Sequence, residues 1–222
     1  MYDGDVNPGG PSAVRELPRL TIRKASVSRT DNNVYLLTCV TTGAQLLVDA
    51  ADDSPRLETL IDEGTGRLDA IVTTHQHWDH TRALAELTAW TGAPTYAGTA
   101  DARALPIDVT HQLEHGDSVS FGQITLDVIG LRGHTPGGIA LAYRDSADPE
   151  GIAHLFVGDS LFPGGIGNTK MAGQSFDQLY ADVVERLFAC YDDAAWVYPG
   201  HGADTTLGVE RPQLGPWRER GW

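Results

Sequence analysis

Ala70-Ile71-Val72-Thr73-Thr74-His75-Gln76-His77-Trp78-Asp79-His80 is the stretch of this 222-residue chain that decides both its fold and its chemistry. Its apolar, β-branched start reads as a short buried strand over Leu68 to Thr73. Directly after it stand four side chains able to ligate a cation: His75, His77, Asp79 and His80. With 8 His in 222 residues, chance gives an H-x-H-x-D-H window in about one chain in a thousand of this composition. Imidazole and carboxylate donors suit Zn²⁺, and also Fe²⁺ or Mn²⁺. Four ligands on one tight loop cannot all close on a single ion with good geometry. His75 and His77 can face one ion while Asp79 and His80 turn toward a second.

Three more ligand-type residues follow strand-like runs. His134 comes after Leu126 to Leu131, Asp159 after Leu155-Phe156-Val157, and His201 after Trp196-Val197-Tyr198. If those strand ends share one edge of the fold, the residues converge. The glycines beside them (Gly133, Gly158, Gly200 and Gly202) fit places where backbone passes close to a crowded centre.

Elsewhere the pattern is mostly strands. Leu20 to Ser28 alternates apolar and polar residues, and Val34 to Val40 with Gln45 to Asp49 reads as a hairpin around Thr41-Thr42-Gly43-Ala44. Val119 to Leu131 alternates on both sides of a turn near Gly122. Short strands are expected at Thr95 to Ala97, Ile139 to Tyr143, His154 to Val157 and Trp196 to Tyr198. Helical spacing marks Pro55 to Glu63, Thr81 to Trp90 and Phe176 to Phe188. Strands and helices do not alternate strictly. The expected class is therefore α/β (α+β), with two mixed sheets and helices on their outer faces. Residues 1–18 read as a flexible N-terminal arm and 19–222 as a single domain.

The chain holds 16 Lys and Arg against 30 Asp and Glu, a net charge of −14. Such a surface repels phosphate backbones, so neither nucleic acid nor a membrane is an expected partner. A small-molecule substrate is expected, and the charge does not exclude an anionic one, because a bound metal reverses the local sign. There is no apolar run of the ~20 residues that span a bilayer and no secretory signal, so the expected compartment is the cytoplasm. Cys39 and Cys190 lie in apolar stretches and read as small buried hydrophobes. Oligomeric state is left open.

In order and spacing, H-x-H-x-D-H at 75–80 with His134, Asp159 and His201 resembles the metal-binding elements of the metallo-β-lactamase-fold hydrolases, over about residues 20 to 207. The resemblance implies a four-layer αββα sandwich with a dinuclear site at one edge. It implies that His75, His77 and His134 hold one divalent ion and Asp79, His80 and His201 another, zinc foremost. Asp159 would bridge them together with a water-derived hydroxide. β-Lactamases of this family carry Cys or Ser in place of Asp159, which points away from lactam hydrolysis. Gly158-Asp159-Ser160-Leu161-Phe162 followed by Gly164-Gly165-Ile166-Gly167 is most similar to the glyoxalase II branch, in its short single-domain bacterial form. That branch hydrolyses acyl-thiol thioesters. Glyoxalase II proper has a longer C-terminal helical region and basic residues that hold glutathione. Here Asn168 stands where a basic residue is common, and Lys170 is the nearby substitute.

By the same resemblance, Asp79 is expected to orient the attacking hydroxide or accept its proton. A persulfide dioxygenase, with one iron on three of these residues, is the alternative from another reaction class. Lactonases and phosphodiesterases of the fold are hydrolytic alternatives, and a metal-binding scaffold is the non-enzymatic one. Trp78 either lines the pocket or packs. Asp49 and Thr74 read as partners that orient a ligand histidine. Lys170 and Arg132 are candidates for pairing with a substrate carboxylate, against the commoner solvated state. His111, His115 and His154 lack any ligand context. The tail residues Arg211, Trp217, Arg218, Arg220 and Trp222 fit a lid, an oligomer contact or a packed end.

Overall fold

The computed structural model describes residues 2–145 and 147–221; Trp222 of the tail lies outside them. A first sheet runs in chain order: β1 (Ala13–Glu16), β2 (Leu20–Val27), β3 (Asn32–Cys39), β4 (Gln45–Val48), β5 (Ala70–Thr73), β6 (Thr95–Gly98) and β7 (His111–Leu113). The pairings from β1 to β4 are antiparallel and those from β4 to β7 parallel. Parallel neighbours need crossover connections. Helices α1 (Ser54–Glu63) and α2 (Leu84–Thr91) supply the first two, and the four-residue α3 (Thr99–Ala102) lies in the third.

The second sheet continues with β8 (Ser118–Phe121), β9 (Ile124–Gly130), β10 (Ile139–Arg144) and β11 (Ala153–Gly158). After the small hairpin β12 (Leu161–Phe162) and β13 (Gly165–Ile166), it is completed by β14 (Trp196–Pro199) and β15 (Thr205–Thr206). β11 and β14 pair in parallel. Helix α4 (Phe176–Val183) runs into a wider π-turn over Val184–Phe188, and α5 (Leu207–Glu210) and α6 (Leu214–Arg220) follow β15.

Strand alternation builds the layers. Ile22, Tyr35, Leu37, Leu46 and Val48 of the first sheet meet Leu126, Val128, Leu141, Phe156 and Tyr198 of the second in one inter-sheet core. The opposite faces pack under helices. Leu36, Leu47 and Ile71 lie beneath Leu57, Leu60, Leu84 and Leu87, and Ala140, Leu155 and Val197 beneath Leu179, Val183, Leu187 and Trp217. This is the αββα sandwich. Among the described residues no helix is long and apolar enough to cross a membrane.

The structure departs from the sequence reading in several places. The segment expected to be a flexible arm contains β1, an edge strand paired with β2. It is further tied down where the fully buried Lys24 donates through Nζ to the Gly4 carbonyl at 2.9 Å. Arg15 of β1 lies 4.1 Å from the Trp196 ring centroid, a cation–π contact that no local pattern foretells. The helix expected from Thr81 starts at Leu84, because Trp78–His80 form a 3₁₀ turn. His111 opens β7 at the edge of the first sheet. Cys190 is exposed, not buried, two residues past the π-turn. Trp217 of the tail has no exposed surface and is a packed end.

Candidate metal centre

Two of the parallel pairings, β4 with β5 and β11 with β14, bring the ligand-bearing ends together. β4 and β5 end side by side, so Asp49 follows one and Thr74-His75 the other, with Asp49 N–H bonded to the Val72 carbonyl at 2.9 Å. β11 and β14 end side by side in the second sheet, where Gly200 N–H reaches the Gly158 carbonyl at 2.8 Å. The sheets are stitched at this edge by Ile139 N–H to the Thr74 carbonyl (2.9 Å) and Asn33 N–H to the Gly200 carbonyl (2.8 Å). Polar side chains gather at the carboxyl ends of strands, the usual place for a site in sheet-and-helix folds.

All seven expected ligands meet there. His75, His77 and His134 each present a donor atom within 4.8 Å of the others, and so do Asp79, His80 and His201; His75, His80 and Asp159 form a third such group. Asp159 stands between the two trios. Its Oδ2 is 3.5 Å from His134 Nε2 and 3.4 Å from His201 Nε2, and its Oδ1 is 3.3 Å from His80 Nε2. Donors ~2.1 Å from one ion in tetrahedral array stand ~3.4 Å apart, so these spacings suit coordination better than direct hydrogen bonding.

The outer nitrogens explain why the inner ones face each other. His134 Nδ1 donates to the Asn168 carbonyl and His201 Nδ1 to the Thr30 carbonyl, each at 2.7 Å. His80 Nδ1 lies 2.9 Å from Asp49 Oδ2. Thr74 Oγ1 gives its proton to Asp49 Oδ2 at 2.8 Å, and so accepts from His75 Nδ1 at 3.0 Å. With Nδ1 protonated, each neutral ring turns a lone pair inward at Nε2. The Nε2 atoms of His75 and His134 are buried with no hydrogen-bond partner. Those of His80 and His201 are 3.1 Å apart, a spacing at which a proton or a metal ion must sit between the two lone pairs. The donor set therefore fits divalent ions.

Charge and burial act on these groups in opposite senses. Burial pushes the His75 imidazole well below its usual range, and neighbouring His80 pushes it further. Burial alone would lower His80 too, but Asp159 and Asp49 hold it well above. Burial would raise the Asp159 carboxyl, yet His80, His134 and His201 around it hold it well below the carboxylate range. Asp159 is thus an anion in a pocket that supplies positive charge.

Asp49 and Thr74 are the orienting partners the sequence suggested. The remaining candidates fall outside the cluster. Trp78 is 62% exposed, with the Arg82 guanidinium 3.6 Å from its ring centroid. Asn168 meets His134 through its backbone carbonyl, while its side chain accepts from Lys170 N–H at 3.1 Å. Lys170 itself is exposed. Arg132 is engaged away from the centre, in a two-pronged pair with Asp182 at 2.9 Å. Two site residues carried no sequence signal. Asn32 Nδ2 donates to Asp79 Oδ2 at 3.1 Å, and buried Asp101 binds both histidine loops. Each lies far in sequence from its partners.

The profile of the metallo-β-lactamase superfamily matches residues 27–201. The chain belongs to the metallo-β-lactamase superfamily. Within that superfamily it is similar to a hydroxyacylglutathione hydrolase of Fuscovulum blasticum, 40% identical over 137 residues, 62% of this chain and 51% of that protein. The chain spans about half the length of the curated relatives it matches first. Among solved structures it resembles TTHA1623 in a di-iron-bound form, at 32% identity and TM-score 0.69, covering 85% of this chain and 96% of that one. It also resembles ETHE1 from Myxococcus xanthus, at 26% identity and TM-score 0.76, covering 88% and 84% of the two chains.

Proposed function

We propose that this superfamily member is a binuclear hydrolase of the glyoxalase II type that cleaves an acyl-thiol thioester. The observation that carries the proposal is Asp159, set between two complete ligand trios. A lactamase-type Cys or Ser at that point would offer no two-oxygen bridge. Similarity to hydroxyacylglutathione hydrolases supports the thioester class. His75, His77 and His134 would hold one ion, Asp79, His80 and His201 the other, and Asp159 both; zinc, iron or manganese suits this donor set. Such ions, when bound, polarise a carbonyl and bring the pKa of a bound water from about 16 toward 7.

The chain's own residues supply the rest. Asn32 fixes Asp79 by one carboxylate oxygen, leaving the other to orient a water and take its proton. Thr30, Asn168 and Asp49 fix the rings of His201, His134 and His80, so no ligand must reorganise during turnover. Trp78, Asn168 and Lys170 are the residues we assign to the substrate. No Ser or Cys nucleophile is required.

The test is metal content per chain together with a panel of thioesters, lactones and phosphodiesters. Two ions and preferential thioester cleavage are expected, both lost in Asp159→Ala or His77→Ala. A single iron with oxygen uptake on a thiol persulfide would transfer the protein to the dioxygenase class. The second trio argues against that outcome, because each of its members has an orienting partner of its own.

A further inference from the structure

Asp101 is a carboxylate with no exposed surface and, among the described residues, no ion-pair partner. Burying an unpaired charge is costly unless hydrogen bonds replace the lost water. Three do. Oδ2 accepts from Gln76 N–H at 2.9 Å and from Thr135 Oγ1 at 2.6 Å, and Oδ1 accepts from Gly137 N–H at 2.6 Å. Gln76 lies between His75 and His77, and Thr135 directly follows His134. One side chain in α3 therefore grips the backbone or nearest neighbour of every member of the first ligand trio.

The grip has no slack. A Cβ on Gly98 would come within 1.9 Å of the Gly137 carbonyl oxygen, and one on Gly137 within 2.4 Å of Asp101 N. Backbone thus abuts backbone on both sides of the carboxylate. The second trio is held by different groups: Asp49 on His80, Asn32 on Asp79 and the Thr30 carbonyl on His201. None of these contacts Asp101.

We infer that Asp101 is a positioning residue dedicated to the first metal site, whereas Asp49 serves His80 of the second and, through Thr74, His75 of the first. The inference rests on the two-site reading above. Asp101→Asn keeps the shape but offers one acceptor oxygen, and its NH₂ must face either the Gly137 or the Gln76 N–H. At least one of the three bonds is lost.

The experiment is Co²⁺ titration of the full chain, followed by visible absorption, in two backgrounds. His201→Ala weakens the second site and His134→Ala the first. Asp101→Asn should weaken Co²⁺ binding about tenfold or more in the His201→Ala background. It should leave the affinity in the His134→Ala background unchanged. Thr135→Val should reproduce the effect in weaker form, and Thr135→Ser, which keeps the hydroxyl, should restore it; general destabilisation would hit both backgrounds alike. Equal weakening in both backgrounds, or in neither, overturns the inference. Wild-type protein that takes up no Co²⁺ overturns the two-site reading as well, whereas two-ion wild type with an indifferent Asp101→Asn sinks only this inference.

Discussion

His154 is a histidine that the centre does not use. It is buried in β11, its Nδ1 2.9 Å from the Tyr198 hydroxyl, which in turn accepts from Arg15 Nη1 at 3.2 Å. Burial first, and Arg15 second, push its pKa down to about 4. An unfolded histidine titrates near 6.5, so between those values the unfolded chain binds the extra proton. The contribution of neutral His154 is whole above pH ~6.5 and is lost as the pH falls toward 4, by up to about 3 kcal/mol. Unfolding of metal-free wild type and His154→Leu by urea at pH 7 and pH 4.5 checks this. Wild type should lose more stability on acidification than the variant; parallel losses would refute it. No local pattern foretells that this ring meets Tyr198, because β11 and β14 are brought together only by their crossover.

Elements differ in what their glycines tolerate. Gly200, just past β14, has no room: a Cβ there would lie 2.1 Å from Asp159 Oδ1 and 2.8 Å from His80 Cε1. Gly215 in α6 has nothing within 4 Å. Gly200→Ala should therefore weaken metal binding at least tenfold, read by competition with a chelating dye. Gly215→Ala should leave metal binding unchanged, and Pro216 after it, which disfavours a helical residue with a Cβ before it, offsets the gain in helix propensity. Legibility follows element length. The helix at Pro55–Glu63 and the strand at Leu20–Val27 repeat their periods often enough to show in sequence. Two-residue strands such as β12, β13 and β15 have no period to show. β1 alternates too, but half-exposed on a sheet edge and without an apolar face.

At the scale of the whole molecule, the ligand list was legible because ligand types recur after strand-like runs, whereas Asn32 and Asp101 required the folded contacts. The two halves of the chain each contribute ligands, with Asp159 and His201 in the second sheet and His75 to His80 in the first. Neither half holds a complete trio, so the proposed metal sites form only once the sheets dock. A divalent ion at 100 times its Kd should raise stability by about 2.7 kcal/mol per site. Stopped-flow folding should show this almost wholly as slower unfolding, with refolding unchanged. Faster refolding in the presence of the ion would mean the centre assembles earlier than docking allows.

The outward-facing thiol of Cys190 has a practical use. Cys39 is shut inside the inter-sheet core, so a maleimide fluorophore would attach to one atom of the native fold. That atom precedes β14, at the end opposite His201. A dye there would watch the helical layer without touching the proposed metal sites, and no cysteine would have to be engineered in or out.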